Sequence, residues 1–243
     1  MTPRVSLVIP AYNEAGRIRT TITRVCAYLD RQPYAWELIV VIDGGDPAAA
    51  VEAQSAAADR TGVRVMHDEV NRGKGSAVRR GFAEATGERL VFIDADLSLP
   101  VETLEPMMAR FDAGADVVIA SRTAPGAREV GAPQAFRNIM SRVFNLMVRA
   151  VALPGLTDTQ CGLKGFRAQA ARRIFARQRS DRFGFDVEAL FLARRYGYRI
   201  DEIPVTCTYH EGSSVHRLGD VLNMIGDVCR VRWRHRGGGG GES

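Results

Sequence analysis

The residues best equipped for chemistry lie in RLVFIDADLSLP, residues 89–100. Leu90-Val91-Phe92-Ile93 is a short unbroken apolar run of the kind a strand buried on both faces needs. Two carboxylates, Asp94 and Asp96, follow it with only the small Ala95 between them. Open α/β sheets hold their ligands where such strands end in a crevice. Two close, unpaired carboxylates repel, and a divalent cation shared with a phosphate relieves the repulsion. The pair therefore points to a Mg²⁺ or Mn²⁺ site facing a diphosphate. The competing reading makes Asp96 or Ser98 a cap for a helix starting near Val101, after Pro100. A D-x-D spacing alone does not separate the two.

Further polar clusters are spread along the chain. Asn71-Arg72-Gly73-Lys74-Gly75-Ser76 sets a lysine among glycines at a predicted helix start, where backbone N–H groups attract anions. A nucleoside-triphosphate P-loop is excluded, because Asp68 stands where its first glycine is needed and Gly75 where Ser or Thr must follow the lysine. No G-x-G-x-x-G follows the first strand, which argues against a dinucleotide oxidoreductase. A solvated turn lysine is the simple alternative for Lys74. Asp158-Thr159-Gln160-Cys161-Gly162 leads into a short strand, and Arg182 to Glu188 opens a helix in which Asp186 is either functional or an N-terminal cap. Tyr209 to Arg217 has the composition of a closing loop.

The elements that must position these groups alternate in type. Val5 to Ile9 reads as a buried strand stopped by Pro10, followed by a helix with Ile18, Ile22, Val25, Cys26 and Leu29 on one face. Trp36 to Ile42, ending at Asp43, is a second strand, an alanine-rich helix comes next, and Val63 to His67 is a third strand. The central strand leads to a helix over Val101 to Phe111 and another strand, Asp116 to Ser121, ending at Arg122. Connections of these lengths suit parallel βαβ units, hence an α/β fold with a mostly parallel central sheet flanked by helices. Residues 123–134 read as a loop, Arg137 to Val151 as a helix, and Arg199 to Ile203 and Val205 to Thr208 as short strands around Pro204. Residues 218–236 read as a basic amphipathic helix, and 237–243 as a flexible Gly-rich tail. A solvated basic helix end and attachment to an anionic membrane surface explain that helix equally well.

With 243 residues, 33 Lys and Arg, 28 Asp and Glu, a net charge of +5 and a pI near 9.3, the chain fits one sizeable core and anionic partners. Cys26, Cys161, Cys207 and Cys229 make no C-x-x-C pair and read as reduced thiols, implying a cytoplasmic setting. No apolar run approaches a bilayer span, so membrane contact would be peripheral.

In order, VIPAYNE, Asp43-Gly44, NRGKGSAVRRG, FIDADLSLP, the ASR ending at Arg122, DTQCGLKGF and RFGFDVE resemble the family 2 glycosyltransferases. Within that family of GT-A fold (Rossmann-like, nucleotide-diphospho-sugar transferase) they look most like the dolichyl- or polyprenyl-phosphate sugar transferases. DTQCG and FDVE are similar to the glucosyltransferase branch, DADLS equally to mannosyltransferases. The resemblance covers Val5 to about Arg217 and implies a catalytic domain over 1–217. It implies that Pro10, Tyr12, Glu14, Val41, Asp43, Lys74, Asp94, Ala95, Arg122, Gln160 and Arg217 surround the nucleotide, and that Asp94 and Asp96 hold the metal. Departures are Ile42 for the first acid of the usual DDGS, Ser98 for a longer amide, and Ser214 for a lysine, which leaves His216 or Arg217 to clamp the diphosphate.

The implied reaction inverts a hexose, glucose before mannose, from a nucleotide-diphosphate sugar such as UDP-glucose or GDP-mannose onto a polyprenyl or dolichyl phosphate. Asp96, Asp158, Asp186 and Arg122 are its expected catalytic residues, with Asp158 the base if the acceptor were instead a hydroxyl. The expected setting is peripheral at the cytoplasmic face of a membrane, with a homodimer partner or a membrane-anchoring subunit as other seats for the last helix, and without nucleic acid. A non-catalytic module binding membrane or nucleic acid through that helix is the reading of another class. A nucleotide-sugar pyrophosphorylase would require a Gly-rich basic loop after the first strand, where PAYNE stands.

Overall fold

The computed structural model describes residues 2–130, 153–208 and 230–235. Its elements begin with β1 (Val5–Ala11), α1 (Ile18–Leu29), β2 (Trp36–Asp43), α2 (Pro47–Ala57), β3 (Val63–Asp68), α3 (Lys74–Glu84) and β4 (Arg89–Ile93). A 3₁₀ turn (Val101–Thr103), α4 (Leu104–Asp112), β5 (Val117–Ser121) and β6 (Arg128–Val130) follow. After residue 152 come β7 (Leu163–Arg167), α5 (Ala168–Arg177), α6 (Phe185–Arg195), β8 (Ile200–Pro204) and β9 (Thr206–Thr208).

Seven strands form one sheet in the order β3-β2-β1-β4-β7-β5-β8, and β6 pairs with β9 in a small second sheet. Every pairing in the large sheet is parallel except those of β7, which runs against both β4 and β5. The apolar runs divide between two faces because successive strand residues point to opposite sides. Leu7, Ile9, Leu38, Val40, Val91 and Ile93 pack under α1, α2 and α4. Val8, Ile39, Val41, Leu90 and Phe92 pack under α3, α5 and α6 on the other side. Phe92, Phe166 and Phe185 are fully buried, and truncating one to Ala would cost about 3–5 kcal/mol.

The expected α/β layering is present, with local differences. β1 continues through Pro10 to Ala11, because its pairing with β4 ends at Val8↔Phe92 and the proline lies past that ladder. Residues 128–130, expected to be loop, form β6, whose partner β9 is distant in sequence. α5, which the polar-rich sequence did not announce, buries Ala170, Ala171, Ile174 and Phe175. The helix expected over 137–151, the closing loop at 209–217 and most of the last helix lie outside the described residues. Residues 230–234 are helical, with Val231 fully buried, Trp233 72% exposed, and His235 bonded to Glu188 of α6 at 2.8 Å, so the described end of that helix seats on the core.

Candidate active site

Four parallel strands, β1, β2, β4 and β5, deliver their carboxyl ends to one edge of the sheet, bringing residues 11–14, Asp43, Asp94 and Arg122 to a common rim. β7 lies between β4 and β5 and runs the other way, so its amino end reaches the same rim. That reversal places Asp158 to Gly162 beside Asp94. The N-terminal ends of α3 and α6 supply Lys74 and Asp186.

The turn after β4 is held from several sides. Asp94 N donates to Gly162 O (3.0 Å), Leu97 N to Asp94 O (3.2 Å), Thr21 Oγ1 to Ala95 O (2.7 Å), and Thr208 N to Ser98 O (2.9 Å). Leu97 takes φ 46°, a left-handed conformation unusual for a branched apolar residue and of the kind found at functional turns. Asp96 accepts Ser98 N at 2.9 Å, a local turn, and the following 3₁₀ turn has Pro100 at its cap without a side-chain bond. Neither Asp96 nor Ser98 is therefore the helix cap that the alternative reading required. A Cβ on Gly162 would collide with the Asp94 carboxylate, so this glycine leaves the room Asp94 occupies. Burial, partly offset by Arg17 and reinforced by the charges of Asp96 and Asp94, raises the Glu14 pKa, so Glu14 lies within electrostatic reach of the pair.

Cations face these acids. Lys74 Nζ is 2.5 Å from Asp94 Oδ1, and Lys164 Nζ is 2.6 Å from Asp186 Oδ1 and 2.7 Å from Cys161 O. Both ammonium groups lie over the ring of Phe92, at 5.5 and 5.4 Å from its centroid. Burial alone would lower the Lys74 pKa, but Asp94, Asp186 and Asp96 raise it, keeping the group charged. Burial raises Asp186 against the opposing pull of Lys164 and Lys74. The cap of α6 is Gly184, without a side-chain bond, so Asp186 is not an N-cap: it is a buried partner of Lys164.

Arg122 grips Asp158 as a fork, Nε to Oδ2 at 2.7 Å and Nη2 to Oδ1 at 3.0 Å, while its backbone N donates to Oδ2 at 3.0 Å. Burial opposes ionisation of Asp158, yet the Arg122 charge and hydrogen bonds outweigh it and hold the pKa below the usual carboxylate value. Gln160, half-buried, donates its backbone N to Asp158 Oδ1 at 3.2 Å.

The other expected residues fall into four groups. Tyr12 is 48% exposed at the rim, with buried Pro10 and Ala95 lining it from β1 and the β4 turn. Asp43 is buried and accepts Arg72 N (3.0 Å) and Gly73 N (2.7 Å), tying the loop before α3 to β2. Val41 is fully buried in the core beneath α3 and presents no surface to a ligand. Arg217, with Ser214 and His216, lies outside the described residues. Lys164 and Gly162 were not singled out from sequence, although a lysine inside a short apolar strand is costly unless paired and was a usable signal.

Among the described residues no three His, Cys, Asp or Glu side chains are grouped to hold a metal ion. Asp94 and Asp96 offer only hard carboxylate oxygens from a half-buried turn, a donor set that fits Mg²⁺ or Mn²⁺ when diphosphate oxygens complete the shell. Cys26 and Cys161 are buried thiols, and burial raises both, Cys161 to about 12, so neither competes as a soft ligand.

Known proteins share both the sequence and the architecture. The model of glycosyl transferase family 2 matches residues 6–175. The dolichyl-phosphate beta-glucosyltransferase of Dictyostelium discoideum is 30% identical over 95% of this chain and 74% of its own length. That of Homo sapiens is 31% identical over 96% of this chain and 76% of its own. Glucosyl-3-phosphoglycerate synthase from Mycobacterium tuberculosis, solved with Mn²⁺, uridine diphosphate and glucosyl-3-phosphoglycerate, superposes with a TM-score of 0.71 over 96% of this chain and 80% of its own, at 18% identity. The sheet with its acidic rim is thus a GT-A fold, and the chain belongs to glycosyl transferase family 2.

Proposed function

We propose that this protein transfers glucose, with inversion, from a nucleotide-diphosphate sugar, UDP-glucose first among candidates, to a polyprenyl or dolichyl phosphate. The observation that carries the reading is the state of Asp158. Its carboxylate is fully buried, forked onto Arg122 and held in its ionised form, which makes it an orienting group rather than a proton acceptor. An acceptor phosphate, with a second pKa near ~6, is already largely ionised at neutral pH and needs no strong base. A sugar or glycerate hydroxyl would need one. The kinship with dolichyl-phosphate glucosyltransferases over nearly the whole chain supports the same acceptor class.

In this scheme Asp94 and Asp96 would hold Mg²⁺ or Mn²⁺. When bound, the metal neutralises charge on the departing diphosphate. Tyr12, Pro10, Glu14, Asp43 and Ala95 would border the nucleotide, with Val41 supporting them from the core. Arg122, steadied by Asp158, would face the sugar-phosphate from the β5 side. Asp186 would orient Lys74 on the nucleotide side of the rim and Gln160 the sugar. Arg217 would close over the diphosphate. The phosphate of the lipid attacks the anomeric carbon opposite the leaving nucleotide, forming a β-linked sugar phosphate.

The catalytic unit would span 1–217. Trp233, exposed beside Arg230, Arg232 and Arg234, would meet a membrane surface peripherally at its cytoplasmic face. No helix among the described residues is long and apolar enough to cross a membrane. The test incubates the purified chain with UDP-glucose or GDP-mannose, polyprenyl phosphate and Mn²⁺, then weighs the extracted lipid. A hexosyl phosphate lipid formed from UDP-glucose is expected; exclusive glycosylation of a soluble hydroxyl acceptor would replace this reading.

A further inference from the structure

Lys74 holds the same carboxylate that the reading above gives to the metal. Its ammonium is 2.5 Å from Asp94 Oδ1. Glu14, Asp94 and Asp96 interact electrostatically there, and Lys74 interacts with Asp94, Asp96 and Asp186 together. A divalent cation arriving at Asp94 would meet an ammonium already in place, and like charges at contact distance repel strongly in a half-buried site.

The lysine's main chain cannot yield. Gly73 has φ 110° and lies so close to Asp181 O that a Cβ would collide with it, Ser76 N donates to Asp181 O at 3.1 Å, and Gly75 is packed against Ser180 O and Phe185. The flexible four-carbon stem is what can move. Asp186, with Oδ1 engaged by Lys164 at 2.6 Å, is a second acid that acts electrostatically on the Lys74 ammonium.

We propose that Lys74 is the resident counter-cation of the diphosphate site: a divalent cation displaces its ammonium from Asp94, and the ammonium then turns to the nucleotide diphosphate with Asp186 behind it. This rests on the assignment of Asp94 and Asp96 to the metal. Its consequence is that metal alone binds weakly, whereas metal and nucleotide strengthen each other, since the diphosphate gives the displaced charge a new partner.

The test is titration of the full chain with MnCl₂, following free Mn²⁺ by electron paramagnetic resonance, with and without UDP. Lys74→Met is expected to raise Mn²⁺ affinity without UDP by about tenfold or more, because one competing positive charge is gone. It should also shrink the factor by which UDP tightens Mn²⁺, while Lys74→Arg, which keeps the charge, stays weak without UDP. Lys74→Gln replaces the methionine variant if circular dichroism shows that one unfolded. A damaged fold would not gain metal affinity. Unchanged or weaker Mn²⁺ binding in the neutral variants, with Asp94→Asn abolishing binding, overturns the role of Lys74 and leaves the metal site standing. No Mn²⁺ binding by the unaltered chain in the presence of UDP overturns both.

Discussion

The two edges of the sheet use carboxylates in opposite ways. At the amino edge Glu37 is buried and saturated: it accepts Ser6 Oγ (2.6 Å), Thr86 N (2.6 Å), Thr86 Oγ1 (2.9 Å) and Arg64 Nη2 (2.7 Å). Burial raises its pKa, and these bonds together reverse the effect and lower it. At the carboxyl edge the half-buried Glu14, Asp94 and Asp96 repel one another, with Arg17 paired to Glu14 and Lys74 to Asp94. The first arrangement closes a fold. The second leaves negative charge that an external cation and phosphate can complete, and the contrast separates a structural acid from a functional one better than burial alone does.

Substitutions at the two edges should therefore fail differently. The largest effect is expected for Asp96→Ala, which should cut transfer about a thousandfold, or ~4 kcal/mol of transition-state stabilisation, with little change in melting temperature. Full lipid glycosylation by that variant in excess chelator would erase the distinction between the edges. Next is Gly162→Ala, whose Cβ would push into the Asp94 carboxylate and displace it. A misplacement of that kind can cost about a hundredfold in kcat/KM, measured alongside a thermal melt that should move only modestly.

The smallest effect on activity belongs to Glu37→Gln. It should leave kcat/KM unchanged and lower unfolding free energy by about 1–3 kcal/mol, because the amide turns donors toward Arg64 in place of a charged acceptor. The folded pKa of Glu37 is depressed, so its stabilisation is fully present above the ordinary glutamate value and lost as pH falls through the lower, folded one. Urea unfolding of both forms across that acid range should show the gap closing; a gap that persists when Glu37 is protonated would mean charge is not its cause.

Much of this could be read without coordinates. Continuous runs such as Leu38 to Ile42 can be buried only between two helical layers, and the expected apolar face of α1, Ile18, Ile22, Val25, Cys26 and Leu29, is buried as a unit. Asp94, Asp96 and Arg122 were marked by their place just after such runs, and all three lie at the rim. The short element β6 escaped because its three residues gain a strand's bonds only from β9. Asp186 resembled a cap because composition at a helix start cannot show that Lys164 is buried beside it.

By itself the amino-acid order determined the alternating layers, the parallel bias and the acids at strand ends, since these follow from local periodicity and from residues adjacent in the chain. Only the tertiary structure decided the direction of β7. Running it backwards between β4 and β5 carries Asp158, Gly162 and Lys164 to the carboxyl edge. Strand direction is set by which neighbours complete the backbone hydrogen bonds and bury both faces, a long-range matter that no short stretch encodes. The pairings of Lys164 with Asp186 and of Arg122 with Asp158 follow from that choice.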